Sequence, residues 1–423
     1  MSFREYPLTV RRLLTVRALR SVGQGVLVVD FVLYLKALDW HAAAIGLLLS
    51  GAGLGGAGLA LLVGVLSDRY GRRSFILVNE SITIVAGALA LFTPNPFLLS
   101  AAAVLASFGR GQGGGAGAFG PAEQAWLAMS MPPKTRSRLF SLNAAIGFVG
   151  MGAGALIAGV VPLLAHWFPG AAAFRPLFLV VVLGSSLNWI LLWPLPDERP
   201  APKPEAAPAP EDTEVVRQEN RQLIRLTLTN ALNGLAVGLI SPLISYWFAV
   251  RFGVGPAFIG GLMALTFVGT GLSNVATGRI AELWGPVRST VAIRLAGVLF
   301  MLAMVAMPTF WWAGAFYVLR SLLNRGSVGA RQAVSVSLTR AERRGLASSL
   351  NQVSMRLPGA IGPTVAGYLM EGGDLITPFI IAAGLQLLYA LSYGYYFRDL
   401  DRDLSQRGRR PVEATHAGGA TPP

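Results

Sequence analysis

No cysteine occurs in the 423 residues, which excludes disulfides and thiolate metal sites. Histidine is scarce too: His41, His166 and His416 are too dispersed to ligate a metal, and no metal or other cofactor is expected. No nucleophile–base pair stands out, so an enzyme is not expected either. Charge is thin. Asp, Glu, Lys and Arg make up 13% of the chain, against about 25% in a soluble globular chain. Hydrophobic residues make up 53%, and the mean hydropathy is +0.55.

Uncharged runs cover 42–67, 81–109, 139–174, 176–196, 226–250, 252–278, 295–319 and 375–397. A helix needs roughly 20 apolar residues to cross a bilayer core, so this length exceeds what one soluble core consumes. The composition predicts an all-α integral membrane protein that crosses the bilayer many times.

The formal net charge of +14 would suit a nucleic-acid binder, but its placement argues against one. Basic residues gather in alternate gaps between apolar runs: Arg69, Arg72 and Arg73; Lys134, Arg136 and Arg138; Arg340, Arg343 and Arg344; and the tail from Arg398 to Arg410. This is the positive-inside pattern that orients helices during insertion. It predicts cytoplasmic termini, an uncleaved first span acting as anchor, and residence in a bacterial inner (plasma) membrane. Basic segments beside the bilayer also suit anionic lipid headgroups.

Two similar halves are legible. The segment from Pro196 to Asn220, "PDERPAPKPEAAPAPEDTEVVRQEN", is rich in Pro, Ala and charge and reads as a linker. About six spans fall on each side. At an offset of 208, Gln124, Asn143, Gly154 and Gly159 meet Gln332, Asn351, Gly362 and Gly367. The predicted organisation is a bundle over 1–196, a cytoplasmic linker over 197–221, a second bundle over 222–398, and a disordered cytoplasmic tail over 399–423. Repeats of this kind enclose a substrate site near the midplane.

One short stretch breaks the apolar pattern. In "GVLSDRYGRRSFI", Gly64, Leu66, Asp68, Arg69, Gly71, Arg72 and Arg73 stand at fixed spacing. The segment "GRIAELWGPVRS" echoes it with Gly278, Glu282, Gly285 and Arg288. The first stretch resembles the signature loop G-x-L-x-D-R-x-G-R-R/K of the major facilitator superfamily, between its second and third helices. The resemblance implies twelve transmembrane helices in two pseudo-symmetric six-helix bundles, working as a rocker switch. It also implies that the loop cluster latches the inner gate in the outward-open state. A carboxylate at a helix end is suited to this, because neighbouring helix N-termini favour negative charge and guanidiniums give charge-assisted bonds.

Other residues are candidates for chemistry. Asp30 lies inside the first span, where a carboxylate is costly and faces a cavity or partner. It reads either as a proton carrier or as a fixed ion pair with Arg20 or Arg110. Glu80 and Glu123 are weaker candidates, expected near the interface. The drug-exporter branches of the superfamily carry R-x-x-Q-G in the fourth helix. Arg110 and Gly114 fit, with Gln112 one place early, and the resemblance implies proton coupling for Arg110. Arg320, Arg325 and Arg356 lie in the tenth and eleventh spans, where no acidic residue accompanies them; this favours an acidic or zwitterionic substrate. Gln24, Asn143, Asn233, Asn351 and Gln352 either line the pathway or tie helices together.

The G-x-G-x-x-G matches at Gly51 and Gly109 lie inside apolar runs and read as helix packing. A fifth-helix exporter motif keeps Gly150, Gly154 and Gly159 but has Ala155 where proline is expected. The resemblance implies a monomeric secondary transporter of a small organic or amphipathic solute, with protons as the coupling ion and export as its direction. The alternative is uptake or exchange of an organic anion.

Overall fold

A computed structural model describes residues 5–109, 120–197, 213–326, 331, 334, 338, 340 and 343–409. The described residues form helices and no strand, as a bilayer requires of a chain that must satisfy its own backbone groups. The first half contains α1 (Leu8–Ala37), α2 (Ala42–Tyr70), α3 (Arg72–Phe92), α4 (Pro96–Ala106), α5 (Gly120–Met129), α6 (Pro133–Ala158), α7 (Val161–Leu164) and α8 (Pro176–Leu192). The second contains α9 (Thr213–Ile240), α10 (Ile244–Phe252), α11 (Pro256–Trp284), α12 (Pro286–Ala306), α13 (Phe310–Gly326), α14 (Arg344–Glu371) and α15 (Thr377–Arg409).

Among the described residues, nine helical stretches are long and apolar enough to cross a membrane. Helices α4, α5, α13 and α14 stand in chain order where the remaining crossings of a twelve-helix arrangement are expected. Within the first half α1 packs on α6 and α8, and α3 on α8 and α4; in the second, α9 packs on α14, and α12 on α15 and α13. The repeat reappears in these contacts. Gly154 of α6 lets the backbone of α1 at Val22 approach, and Gly362 of α14 does the same for α9 at Gly238. A side chain at either position would collide with backbone.

The two halves meet along α2 with α14 and α6 with α11. Ser50 Oγ accepts the Thr364 amide at 3.0 Å and lies 2.7 Å from its hydroxyl. Glu371 accepts the Ala43 amide at 3.0 Å, and the Ser245 hydroxyl donates to the Val28 carbonyl at 3.3 Å. Ala155, standing where the exporter motif has proline, is fully buried, and its carbonyl occupies the space beside Gly260. Small residues thus bring α6 and α11 together. These contacts lie toward the end of the molecule where α1 hands over to α2, termed here the far face. The other end, the terminal face, carries the start of α1 and the end of α15.

Buried apolar residues separate along this axis. One cluster spans both halves toward the far face and includes Phe31, Leu49, Met151, Trp247, Phe267 and Phe379. Toward the terminal face there are two: one in the first half around Leu13, Trp126 and Leu192, another in the second around Leu226, Tyr389 and Phe397. The halves share a core at one end and keep separate cores at the other.

Two boundaries differ from the sequence-based organisation. Helix α9 begins at Thr213, inside the segment read as linker, because no proline lies between Pro210 and Pro242 and Glu219 anchors the turn. Glu219 accepts the amide and guanidinium of Arg340 at 2.9 and 3.1 Å and the Arg343 guanidinium at 2.8 Å. Helix α15 runs to Arg409, eleven residues into the tail read as disordered from 399. In the short α14–α15 connection, Asp374 accepts the Ile376 and Thr377 amides at 3.0 and 2.9 Å. Hydrogen bonds from the Thr377 side chain and from these amides hold its carboxyl below its ordinary range.

Candidate functional site

Three charged arrangements stand out. The first is Asp30. Its place on α1 puts it about 10 Å from the far end of the helix, at 1.5 Å rise per residue. It is 3% exposed, within a recess lined by Val26, Leu27, Tyr34, Phe174, Leu177 and Phe178. Neither carboxyl oxygen has a hydrogen-bond partner among the described residues. Aromatic rings enclose it: Tyr34 meets Phe178 at 5.6 Å, Phe31 meets Phe108 at 5.5 Å, and Phe108 meets Phe178 at 5.9 Å. Val28, whose carbonyl takes the hydrogen bond from Ser245, lies on the same turn. A lone carboxylate at membrane depth is costly to keep charged. Arg110 and the glycines after it lie outside the described residues.

The second arrangement closes an alternative left open by the sequence. Arg20 does not serve Asp30; its guanidinium binds Glu80 at 2.6 and 2.9 Å and Glu123 at 2.5 Å. Both acids are 1% exposed, well inside the bundle, although the sequence suggested an interfacial position for them. Asn188 donates to Glu80 at 3.2 Å and Asn143 to Glu123 at 3.5 Å, and the Arg17 guanidinium packs in the space beside Gly147. This network neutralises Glu80 and Glu123 within the first half, tying α1, α3, α5, α6 and α8.

The third arrangement is the gate loop. Gly71 has φ 96° and Gly285 φ 87°, and both turn one membrane helix directly into the next. Few residues other than glycine adopt this conformation. The two loops thus share one backbone form, which is the physical basis of the motif and its echo. The side chains of Asp68, Arg69 and Glu282 lie outside the described residues, and Gly64 is part of α2. Arg72 is buried against the Met129 sulfur at 2.5 Å. Arg73 donates to the carbonyls of Trp193 and Leu195 at 3.1 and 2.6 Å, while its amide donates to Asp197 at 3.1 Å. Asp197 also takes the Ser74 hydroxyl at 3.1 Å. Two arginines at the start of α3 oppose its dipole, and Asp197 offsets them. Sequence reading left Asp197 in the linker; its position just after the sixth span was the available signal. Arg288 is exposed.

The remaining candidates fall in different settings. Gln24 is half-buried and Asn233 fully buried, and the side-chain oxygen of each has no hydrogen-bond partner among the described residues. Asn351 instead binds Asn230 at 2.8 Å, joining α14 to α9. Arg320 is 5% exposed, and Arg325 lies 5.2 Å over the Phe267 ring. Arg356 is exposed on α14. Arg294 of α12, 2% exposed, was missed, as single arginines within a span carry no motif. Around Gly51 the close neighbour is Val104 of α4, which is helix packing.

Comparison with known proteins agrees with this architecture. "Multidrug resistance protein MdtG" of Dickeya zeae is 24% identical over 333 residues, covering 77% of this chain and 78% of that protein. A gentisate transporter of Corynebacterium glutamicum is 24% identical over 394 residues, 89% of this chain and 84% of that one. Among solved structures, a bacterial homologue of the human lysosomal transporter Spinster, inward-facing and unoccupied, superposes with TM-score 0.74 at 16% identity. It covers 95% of this chain and 98% of that one. The family model of the Major Facilitator Superfamily matches residues 13–225 and again 226–418, one match per half, and the chain belongs to that superfamily of transporters.

Proposed function

We propose that this transporter exports a small organic or amphipathic solute by alternating access, coupled to protons through Asp30. The observation that carries the reading is a buried carboxyl group with no described partner, one turn from a hydrogen bond between the halves. Neutral Asp30 suits the apolar, closed far face; its ionisation favours opening, which admits water to the recess. Arg110 of the fourth span tunes the exchange. The basic terminal face is the cytoplasmic one, so the arrangement with a shared far core opens inward. Similarity to a multidrug resistance protein supports the export direction.

In the outward-open state, Asp68 and Arg69 latch the cytoplasmic gate with Arg72, Arg73 and the Glu282–Gly285–Arg288 loop. Opening inward returns Arg73 to Asp197 and the end of α8. Gln24, Asn233, Arg320, Arg325 and Arg356 line the path, and the carrier works as a monomer.

Uptake or exchange of an organic anion is the second reading, favoured by the buried arginines of the second half and by similarity to a gentisate transporter. Proteoliposomes with an imposed pH gradient separate the two. Under the first reading the gradient drives solute accumulation, and Asp30→Asn abolishes the accumulation while leaving solute exchange. Flux indifferent to pH, with Asp30→Asn transporting normally, overturns it in favour of the second.

A further inference from the structure

Among the described residues, the second half buries guanidiniums that carboxylates do not neutralise. Arg294, Arg320 and Arg331 are 2%, 5% and 8% exposed. Of the acids in this half with described side chains, Glu219 is bound to Arg340 and Arg343, Glu371 caps the Ala43 amide, Asp374 caps α15, and Glu214 is exposed in the first turn of α9. Taking a charge out of water without a counter-charge costs several kcal/mol per ion, so the cluster demands an anion.

The pseudo-symmetry shows where. Gly71 and Gly285 occupy equivalent turns, an offset of 214 residues. Adding 214 to Glu80 of α3 gives Arg294 of α12. The first half places a carboxylate there and answers it with Arg20. The second half places a guanidinium there, and α9 answers with no acid beyond its first turns.

The surroundings of Arg294 are polar and unsatisfied. It lies 5.6 Å over the Tyr389 ring and within Coulombic reach of Arg331, Arg320 and Tyr393. The Arg294 and Arg320 Nε atoms, the Tyr389 hydroxyl and both amide atoms of Gln386 have no hydrogen-bond partner among the described residues. Gln386 and Tyr389 are fully buried. Planar guanidiniums suit a two-oxygen anion, and the tyrosine rings suit an aromatic or apolar body beside it.

We infer that Arg294 and Arg320, with Tyr389 and Gln386, form an oxyanion pocket between α12, α13 and α15 that takes the carboxylate of a small organic-acid solute. The inference deepens the transport reading by naming the solute's class, and it is tested by binding rather than by flux.

Calorimetric titration of the full chain in phosphatidylcholine nanodiscs, with 2,5-dihydroxybenzoate and its neutral amide as probes, provides the test. The acid is expected to bind at least about tenfold more tightly than the amide, as a charge-assisted pair implies. Arg294→Gln should weaken the acid by a similar factor, and Tyr389→Phe by roughly tenfold, the cost of one hydrogen bond to an ionised acceptor. Tyr389→Phe keeps the ring over Arg294 and decides the matter if Arg294→Gln does not fold. Equal binding of acid and amide, or wild-type affinity in Tyr389→Phe together with a folded Arg294→Gln, overturns the pocket. Repeating the titration in phosphatidylglycerol nanodiscs separates the anion's source. If that lipid blocks the acid in wild type and copurifies with it but not with Arg294→Gln, a headgroup is the occupant and the solute assignment falls. Acid binding without flux of any solute in proteoliposomes leaves the pocket standing and overturns transport; flux that ignores Arg294→Gln does the reverse.

Discussion

Gly71 joins α2 to α3 at φ 96° and ψ 140°, and the carboxylate of Asp197 fills the space where its Cβ would stand. Both facts penalise any side chain. Gly71→Ala is expected to destabilise the first half by about 1–3 kcal/mol, the usual cost of so strained a backbone. The change is read as a lowered unfolding midpoint in detergent. Gly285→Ala should behave alike in the second half, because its φ is 87°. Gly58 provides the control: a Cβ there meets nothing within 4 Å, so Gly58→Ala should leave the midpoint unchanged. A fall in the Gly58 variant equal to that of Gly71→Ala would remove the conformational argument.

Among elements, α1 holds the first half together, meeting both α6 and α8. Its Arg20 is the only described cation that binds both Glu80 and Glu123. Arg20→Met would leave buried Glu80 without a guanidinium and Glu123 with Arg17 alone beside it, at a cost of about 3–5 kcal/mol. Glu80→Gln keeps a hydrogen-bonding partner for Asn188 and leaves the Arg20–Glu123 pair, so its cost should be nearer 1–3 kcal/mol. Denaturant unfolding of both variants checks the order; a smaller loss in Arg20→Met than in Glu80→Gln contradicts a network centred on Arg20. Sequence reading found each of these residues but offered Arg20 only as one possible counter-ion for Asp30, and the structure gives it to Glu80 and Glu123 instead. Asp30 lies ten residues further along α1, about 15 Å at 1.5 Å per residue, beyond the reach of one guanidinium. Glu80 and Glu123 are sixty or more residues distant in sequence and come to Arg20 only through the packing of α3 and α5.

At the scale of the whole molecule, one shared core toward the far face and two separate cores toward the terminal face describe two bodies hinged at one end. Ser50 and Thr364 face each other across that closed end at 2.7 Å. Since the chain has no cysteine, Ser50→Cys with Thr364→Cys introduces a clean pair. Oxidation is expected to lock the far face and stop solute flux, and reduction to restore it; each single variant should ignore oxidant. Undiminished flux with the cross-link complete would mean that α2 and α14 need not separate during transport.

The amino-acid sequence by itself determined that the chain is helical, membrane-spanning and duplicated. Those properties follow from local facts: uncharged runs longer than a bilayer, basic gaps at alternate positions, and a loop motif whose glycines serve a backbone turn. The tertiary structure decided how charges pair. It joined Arg20 to Glu80 and Glu123, left Asp30 among aromatic rings, set Asp197 against the gate loop, and gathered Arg294, Arg320 and Tyr389 from three helices. Helical periodicity tells which residues share a face of one helix, but not toward which neighbour that face turns. Burial and charge balance are properties of the assembled bundle, fixed only when all the helices are in place.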